Sequence, residues 1–264
     1  MRRQEYRDQK ALQWLHHVRN EELKAAIHFF PSDKGIRILE IGGGEGYVAK
    51  CISDMGYDVT SIDIAPIFPQ LYPVLEVDTS RLNFRSETFD VIFSSQVLAH
   101  IKNIELAYQE IRRVLKKSGI MIHIVPTTWW TLLTNFWHYC LMPKYVPAYI
   151  IKKRLFRCNK KQTPSKEESI TSKNNTAGIP RSRIINYLLL HPLGANPSFV
   201  HEIYYFSSFY WKRSFQKHGF RIISVKNGPY LYSGYGVFKM RFLKLRKFLA
   251  KHFLSTSYCF VLKR

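Results

Sequence analysis

A glycine-rich turn at residues 40–46 is the first place where this 264-residue sequence suggests chemistry. Glu40, Gly42, Gly44 and Gly46 stand at every second position after an apolar run. Glycine has no Cβ and tolerates positive φ, so such a turn brings backbone N–H groups and a helix N-terminus close to a bound cofactor. A dinucleotide site needs a further glycine where the sequence has Tyr47, so the pattern argues against that class. Taken alone, the turn also fits a tight bend that binds nothing.

The elements around this turn alternate between helix and strand. A leading helix is predicted because apolar residues from Leu12 to Ile27 recur at helical spacing before Pro31. The predicted strands cover residues 37–41, 58–64, 74–78, 89–96 and 120–126. Further helices are predicted from the turn to about Met55, and from 104 to Gly119, a residue type that favours a helix end. This alternation predicts an α/β fold with a parallel sheet wound on both faces.

Residues 36–126 resemble the class I S-adenosylmethionine-dependent methyltransferases, with a domain of the methyltransferase type 11 kind. The resemblance rests on the glycine turn and on acidic or polar residues at successive strand ends. It implies a Rossmann-like, doubly wound sheet of seven strands, mostly parallel, with an antiparallel last strand. It also implies an enzyme that uses S-adenosyl-L-methionine and needs no metal.

The resemblance also implies roles for the residues of the first two strand ends. Glu40, Gly42, Gly44 and Gly46 would lie around the methionine part of the cofactor. Asp63, about twenty residues further on, would hold the ribose hydroxyls. That role requires a carboxylate, because one group must accept hydrogen bonds from two neighbouring hydroxyls.

The third and fourth strand ends complete the implied cofactor site. The residues there are Asp78, Thr79, Ser95 and Gln96. Asp78 would meet the adenine amino group with Thr79 beside it, and the other two would line the pocket. The sequence departs from the family where Ala99 precedes His100, because the family usually has an acidic residue there. The departure weakens any catalytic role drawn from this motif and leaves the cofactor site unaffected.

The net charge of +21 belongs entirely to the second half of the chain. Residues 1–126 hold 16 basic and 16 acidic side chains, whereas residues 127–264 hold 24 basic and three acidic ones. This asymmetry predicts an anionic partner, such as a lipid headgroup surface, a phosphorylated substrate or nucleic acid. A Lys-rich composition that only keeps the protein in solution is the alternative.

Cysteine usage and the N-terminus indicate the compartment. Four cysteines lie far apart without a CxxC pair, so neither a zinc site nor a disulfide framework is expected. The charged N-terminal residues lack the apolar segment of a secretory signal. We therefore expect a cytoplasmic protein, with peripheral contact at the inner face of the membrane as a second expectation.

Three regions organise the chain in this interpretation: a cofactor-binding core (1–126), an inserted lid and loop region (127–190) and a C-terminal completion of the sheet (191–264). Residues 127–142 are uncharged, aromatic and too short to span a bilayer, so they form a helical lid, a membrane-interface segment, or both. The polar stretch 158–183 predicts a flexible loop.

The C-terminal region supplies the candidate acceptor residues. By resemblance to the tail of some bacterial family members, His191, His201 and Glu202 would face the acceptor. An imidazole or carboxylate there would take the proton of an acceptor hydroxyl during methylation. A structural role at a helix start is the alternative for each of them.

A basic amphipathic helix is predicted near the C-terminus, with Phe238, Phe242, Leu245, Leu249 and Phe253 on one face. It would lie either on an anionic membrane or as an ordinary covering helix.

The combined interpretation is a methyltransferase with a small or lipid-linked acceptor, methylated on oxygen. An RNA methyltransferase and a non-catalytic, cofactor-binding membrane protein are the alternatives. The basic charge supports RNA, but no RNA-binding module is recognisable.

Overall fold

The computed structural model describes residues 9–141, 194–195, 198–234 and 236–264. The helices are α1 (Gln9–Ala26), α2 (Tyr47–Asp54), α3 (Ile104–Val114), α4 (128–141), α5 (Phe199–Tyr205), α6 (Ser208–Lys217) and α7 (Leu243–His252). The strands are β1 (Arg37–Ile41), β2 (Asp58–Asp63), β3 (Val74–Glu76), β4 (Phe89–Ser95), β5 (Leu115–Pro126), β6 (Arg221–Asn227) and β7 (Ser257–Lys263). The predicted His191 and the predicted loop at 158–183 lie outside the described residues.

The seven strands form one sheet in the order β3-β2-β1-β4-β5-β7-β6. β7 is antiparallel to both of its neighbours, β5 and β6, and the other pairings are parallel. Two apolar clusters cover the sheet. One includes Tyr108 of α3 and Phe215 of α6, and the other includes Leu23 of α1 and Ile52 of α2. The predicted Rossmann-like architecture with an antiparallel last strand is therefore confirmed.

The boundary between α3 and β5 differs from the prediction. The helix was expected to reach Gly119, but α3 ends at Val114 and β5 begins at Leu115. Leu115 pairs with Phe89 of β4, and the register then shifts before the next pairs. The pairing with β4 therefore overrides the helical pattern of the sequence.

The orientation of α7 depends on a buried arginine. Arg246 donates from Nε to the carbonyl of Leu231 at 2.7 Å and from Nη1 to that of Lys239 at 2.7 Å. Its guanidinium also lies 4.4 Å from the ring centre of Trp14. Arg246 and Ala250 are the buried residues of this helix, and Leu245 and Phe248 are exposed, whereas Leu249, predicted on the same apolar face, is partly buried.

No helix in the described part of the chain is both long and apolar enough to cross a membrane.

Candidate functional site

A cavity of about 880 Å³ lies beyond the carboxyl ends of β1, β2, β4 and β5. Of the predicted cofactor residues, those on its wall are Glu40, Gly42, Gly44, Asp63, Asp78, Thr79, Ser95 and Gln96. Gly46 lies in the same turn, at the start of α2. The residues selected from four separate segments thus surround one space.

Two positions of the turn require glycine. Gly42 has a φ of 82°, and a Cβ there would lie 2.1 Å from Cγ2 of Val97. Gly46 has a φ of 83°, and a Cβ there would lie 2.4 Å from the carbonyl oxygen of Tyr72. Any L side chain would meet both a disfavoured backbone conformation and an occupied position. The turn is therefore built for close approach of the backbone to its surroundings, as a cofactor cradle requires.

The N–H groups of this turn do not all face the cavity, which corrects the sequence interpretation. Gly42 and Gly43 both donate to the carbonyl of Ile62, at 2.7 and 3.0 Å. Gly44 donates to Oδ2 of Asp63 at 3.0 Å. Because buried N–H groups need partners even without a ligand, these bonds fix the turn against β2. The glycines contribute space rather than hydrogen-bond donors.

The two predicted carboxylates stand in different environments. Asp63 is buried and accepts from Gly44 and, through Oδ1, from Ala65 at 2.9 Å. Asp78 is exposed and accepts from the N–H of Ser80 at 2.8 Å. A carboxylate offers about four acceptor positions, so such anchoring is compatible with additional hydroxyl or amino donors. Asp63 is held in one orientation at the junction of turn and strand.

Glu40 is a buried acid at the end of β1. Its Oε2 accepts a hydrogen bond from Oγ of Ser61 at 2.6 Å. Burial raises the pKa of Glu40 to about 7, the Ser61 hydrogen bond opposes the rise, and the charge of Asp63 adds to it. Glu40 therefore changes its charge near neutral pH on the wall of the cavity.

A buried polar cluster, here called the Glu22 cluster, joins α1 to the end of β4. Glu22 is completely buried and accepts hydrogen bonds from Arg19 at 2.6 Å and Ser95 at 2.7 Å through Oε2. Its Oε1 accepts from the hydroxyl of Tyr232 at 3.0 Å and from Gln96 at 3.4 Å. Gln96 has a φ of 60°, a strained conformation of the kind found at functional sites. The four partners line the cavity while Glu22 sits behind them.

Helix α1 also lies over the glycine turn. Nε2 of His16 lies 2.5 Å from Oε1 of Glu45, and the His16 ring stacks on Tyr47 with centres 3.8 Å apart. Trp14 and Leu15 of the same helix line the cavity. The sequence predicted the helix but not its place in the site.

Of the predicted catalytic residues, the two that the structure describes, His201 and Glu202, are not brought to the cavity. His201 is exposed, and its Nδ1 lies 2.6 Å from Oγ of Ser198, the N-cap of α5. Glu202 is buried, and its Oε1 accepts a hydrogen bond from the N–H of Gly194 at 2.5 Å. Neither side chain is on the cavity wall. Their contacts are those of a helix start and a loop anchor, which was the alternative that the sequence left open.

Other residues form the remaining wall. They are His100 after β4, Trp130 of α4, and Tyr232, Ser233, Gly234 and Lys239 in the segment before α7. The N–H of Gly234 donates to Oγ1 of Thr134 at 2.9 Å, which ties this segment to α4. Two of these wall residues carried a signal in the sequence: His100 in the fourth-strand motif, and Trp130 in the aromatic segment 127–142 for which a helical lid was one of the expectations. Within the described residues, no group of three or more His, Cys, Asp or Glu side chains is arranged to hold a metal ion.

Comparisons with known proteins identify the family of the chain. A family model described as a methyltransferase domain matches residues 14–225. The chain is 28% identical over 120 residues to the sterol 4-C-methyltransferase of Caenorhabditis elegans, covering 39% of this chain and 36% of that protein. It is 29% identical over 119 residues to the mitochondrial ubiquinone biosynthesis O-methyltransferase of Rattus norvegicus, covering 39% and 34%. The chain thus spans about a third of the length of these relatives.

Solved structures show the same fold across nearly the whole chain. An S-adenosylmethionine-dependent methyltransferase from Archaeoglobus fulgidus has a TM-score of 0.53 and 12% identity, covering 98% of this chain and 96% of that one. Another, from Mesorhizobium loti, has a TM-score of 0.50 and 13% identity, covering 92% and 98%.

Proposed function

This chain belongs to the methyltransferase-domain family; from that premise, we propose that it is an S-adenosylmethionine-dependent enzyme that methylates an oxygen atom of a small or lipid-linked acceptor. S-adenosylmethionine supplies a methyl group already activated on a sulfonium. The protein then has to align the acceptor with that carbon and exclude water. A metal has no part in this proposal.

The observation that carries the proposal is the lining of the cavity near the end of β4. His100 stands there with the aromatic side chains of Trp130 and Tyr232, and with Val97 and Ile101. Aromatic and aliphatic walls with a few polar groups suit an apolar molecule that carries a reactive hydroxyl. The names of the curated relatives, a sterol and a ubiquinone biosynthesis methyltransferase, support an apolar acceptor.

We propose that His100 is the base that removes the proton from the acceptor hydroxyl. Methylation of a neutral hydroxyl produces an oxonium unless a base removes the proton, and imidazole is the side chain that most often does so. Glu22 is poorly suited to this task, because four donors already bind its two oxygens.

Replacing His100 by alanine should lower methyl transfer by about 10²- to 10⁴-fold, the usual contribution of a general base. Transfer from methyl-labelled cofactor into lipid and polar extracts of the source cells would be measured, and mass spectrometry would identify the product. His201→Ala is the matched control, because His201 is outside the cavity wall. The proposal would be contradicted if His100→Ala kept its rate, or if His201→Ala lost it.

Cofactor affinity should rise with pH from about 6 to about 8, because the pKa of Glu40 is raised to about 7. Below that value Glu40 is neutral, whereas above it a carboxylate attracts the positive charges of the cofactor. Binding near neutral pH should therefore release a proton. Calorimetry in two buffers of different ionisation enthalpy would measure that release, and Glu40→Gln should remove it. Equal proton release by wild type and Glu40→Gln would refute this role of Glu40.

A further inference from the structure

Helix α7 and its neighbours present an exposed apolar surface, here called the α7 surface. It consists of Phe136, Phe238, Phe242, Leu245, Phe248 and Phe253. Phe242 is 64% exposed, Leu245 55% and Phe248 54%. Isolated exposed apolar residues are common, but a contiguous group of this kind marks an interaction site.

Contacts on the inner side fix this orientation. Arg246 binds backbone carbonyls of the segment before the helix, and Ala250 is completely buried. Phe238 packs on Trp137 of α4 with ring centres 5.3 Å apart, and on Phe242 at 6.0 Å. The outward side chains therefore belong to a well-anchored face made by two elements.

The positive charge around this surface favours an anionic partner. Residues 203–264 contain thirteen Lys and Arg and no Asp or Glu. Arg241, Lys244 and Lys251 have exposed side chains on or beside α7. Apolar side chains rimmed by cations are complementary to a bilayer with anionic headgroups, where the apolar groups enter the acyl boundary and the cations stay at the phosphates.

The same surface adjoins the wall of the cavity. Gly236 and Lys239 line the cavity, and Phe238 lies between them in the chain. Trp130 of α4 lines the cavity, whereas Phe136 on the same helix belongs to the α7 surface. An apolar acceptor would thus reach the cavity along a surface that faces the bilayer.

We propose that the α7 surface docks the protein on an anionic lipid bilayer and admits a membrane-resident acceptor to the cavity. This inference rests on the proposed lipid-linked acceptor. The docking itself is testable without that acceptor, because it needs only vesicles.

Sedimentation of the full chain with vesicles of phosphatidylcholine, with and without phosphatidylglycerol, tests the proposal. Wild type should bind the anionic vesicles at least tenfold more tightly than the neutral ones. Leu245→Glu with Phe248→Glu should lose at least tenfold in affinity for the anionic vesicles. Val200→Glu, a change at an apolar residue that is 71% exposed on α5, should bind like wild type.

The salt dependence and the lipid composition distinguish apolar insertion from purely ionic binding. Binding through apolar insertion should persist in part at high salt, whereas purely ionic binding of the kind that RNA requires should be lost steeply. Failure of wild type to sediment with anionic vesicles would overturn the proposal, as would equal binding by the double variant. The proposal would also be overturned if analytical ultracentrifugation showed that the wild type is a dimer and that the double substitution converts it to a monomer. Binding of S-adenosylhomocysteine, measured for every variant, shows whether the cofactor site is intact and keeps the two proposals distinct.

Discussion

Asp63→Ala should weaken the binding of S-adenosylhomocysteine by about 10²- to 10⁴-fold, since each hydrogen bond to a charged group contributes about 1.5–3 kcal/mol and we propose two from the ribose. The side chain has a second task, because it holds the N–H of Gly44 at 3.0 Å. Its removal leaves that donor unsatisfied and loosens the turn next to the cofactor. Both effects act in the same direction on affinity.

Calorimetric titration would measure this loss. Asp58→Ala is the matched control, because Asp58 is an exposed carboxylate at the other end of the same strand. Its substitution should leave the affinity unchanged. Asp63→Asn keeps the shape of the side chain but replaces one acceptor oxygen by a donor, so most of the loss should remain. A small effect of Asp63→Ala, comparable to that of Asp58→Ala, would remove Asp63 from the cofactor site.

Glu22→Ala should lower the free energy of unfolding by about 3–5 kcal/mol, because several donors lose a completely buried acceptor and each buried donor left unsatisfied costs about 1–3 kcal/mol. The substitution would leave the guanidinium of Arg19 without its 2.6 Å partner and deprive Ser95, Gln96 and Tyr232 of their shared acceptor. Because these donors lie on α1, at the end of β4 and before α7, the site should loosen as well. Affinity for S-adenosylhomocysteine should therefore also fall.

Urea unfolding, with the midpoint and slope recorded separately, would measure the change. The adjacent Glu21 offers a close control, because it pairs with Lys24 and Lys247, two lysines with exposed side chains, at 2.8 Å each. Pairs with an exposed lysine are weaker than contacts to a completely buried carboxylate, so Glu21→Ala should destabilise the protein less than Glu22→Ala. Equal destabilisation by the two substitutions would show that the Glu22 cluster has no special importance.

The grouping of the proposed cofactor residues around one cavity was predictable because their signals are local. Glu40, Gly42, Gly44 and Gly46 fall within seven residues, and Asp63 ends a strand whose apolar pattern is plain. In a parallel sheet such strand ends meet at one edge, so the order of elements alone places them together. The cavity lining agrees with that placement.

The rest of the site depends on contacts that no local pattern contains. Glu22 looks like a surface residue of an amphipathic helix, yet its partners Ser95 and Tyr232 lie 73 and 210 positions away. His201 and Glu202 are residue types that can act as a base, and they lie in a tail that resembles a family motif. In the structure, however, His201 forms a hydrogen bond with Ser198 and Glu202 forms one with Gly194. Contacts between residues far apart in the sequence decide which polar side chains reach the cavity. The periodicity of the sequence does not reveal these contacts.

Two elements, the boundary between α3 and β5 and helix α7, show the same competition between local and long-range terms. The helical pattern through Gly119 gives way to pairing of Leu115 with Phe89. In α7 the charged Arg246 turns inward because backbone carbonyls and Trp14 receive it, and the apolar face is left outside. Partners distant in sequence decided both outcomes.

A crystal structure of the full chain with S-adenosylhomocysteine would test the central claim most directly. We expect the ligand in the cavity, with its ribose hydroxyls within hydrogen-bond distance of Asp63 and its homocysteine part between the glycine turn and the end of β4. A ligand bound elsewhere, or crystals that stay empty at saturating ligand, would contradict the account.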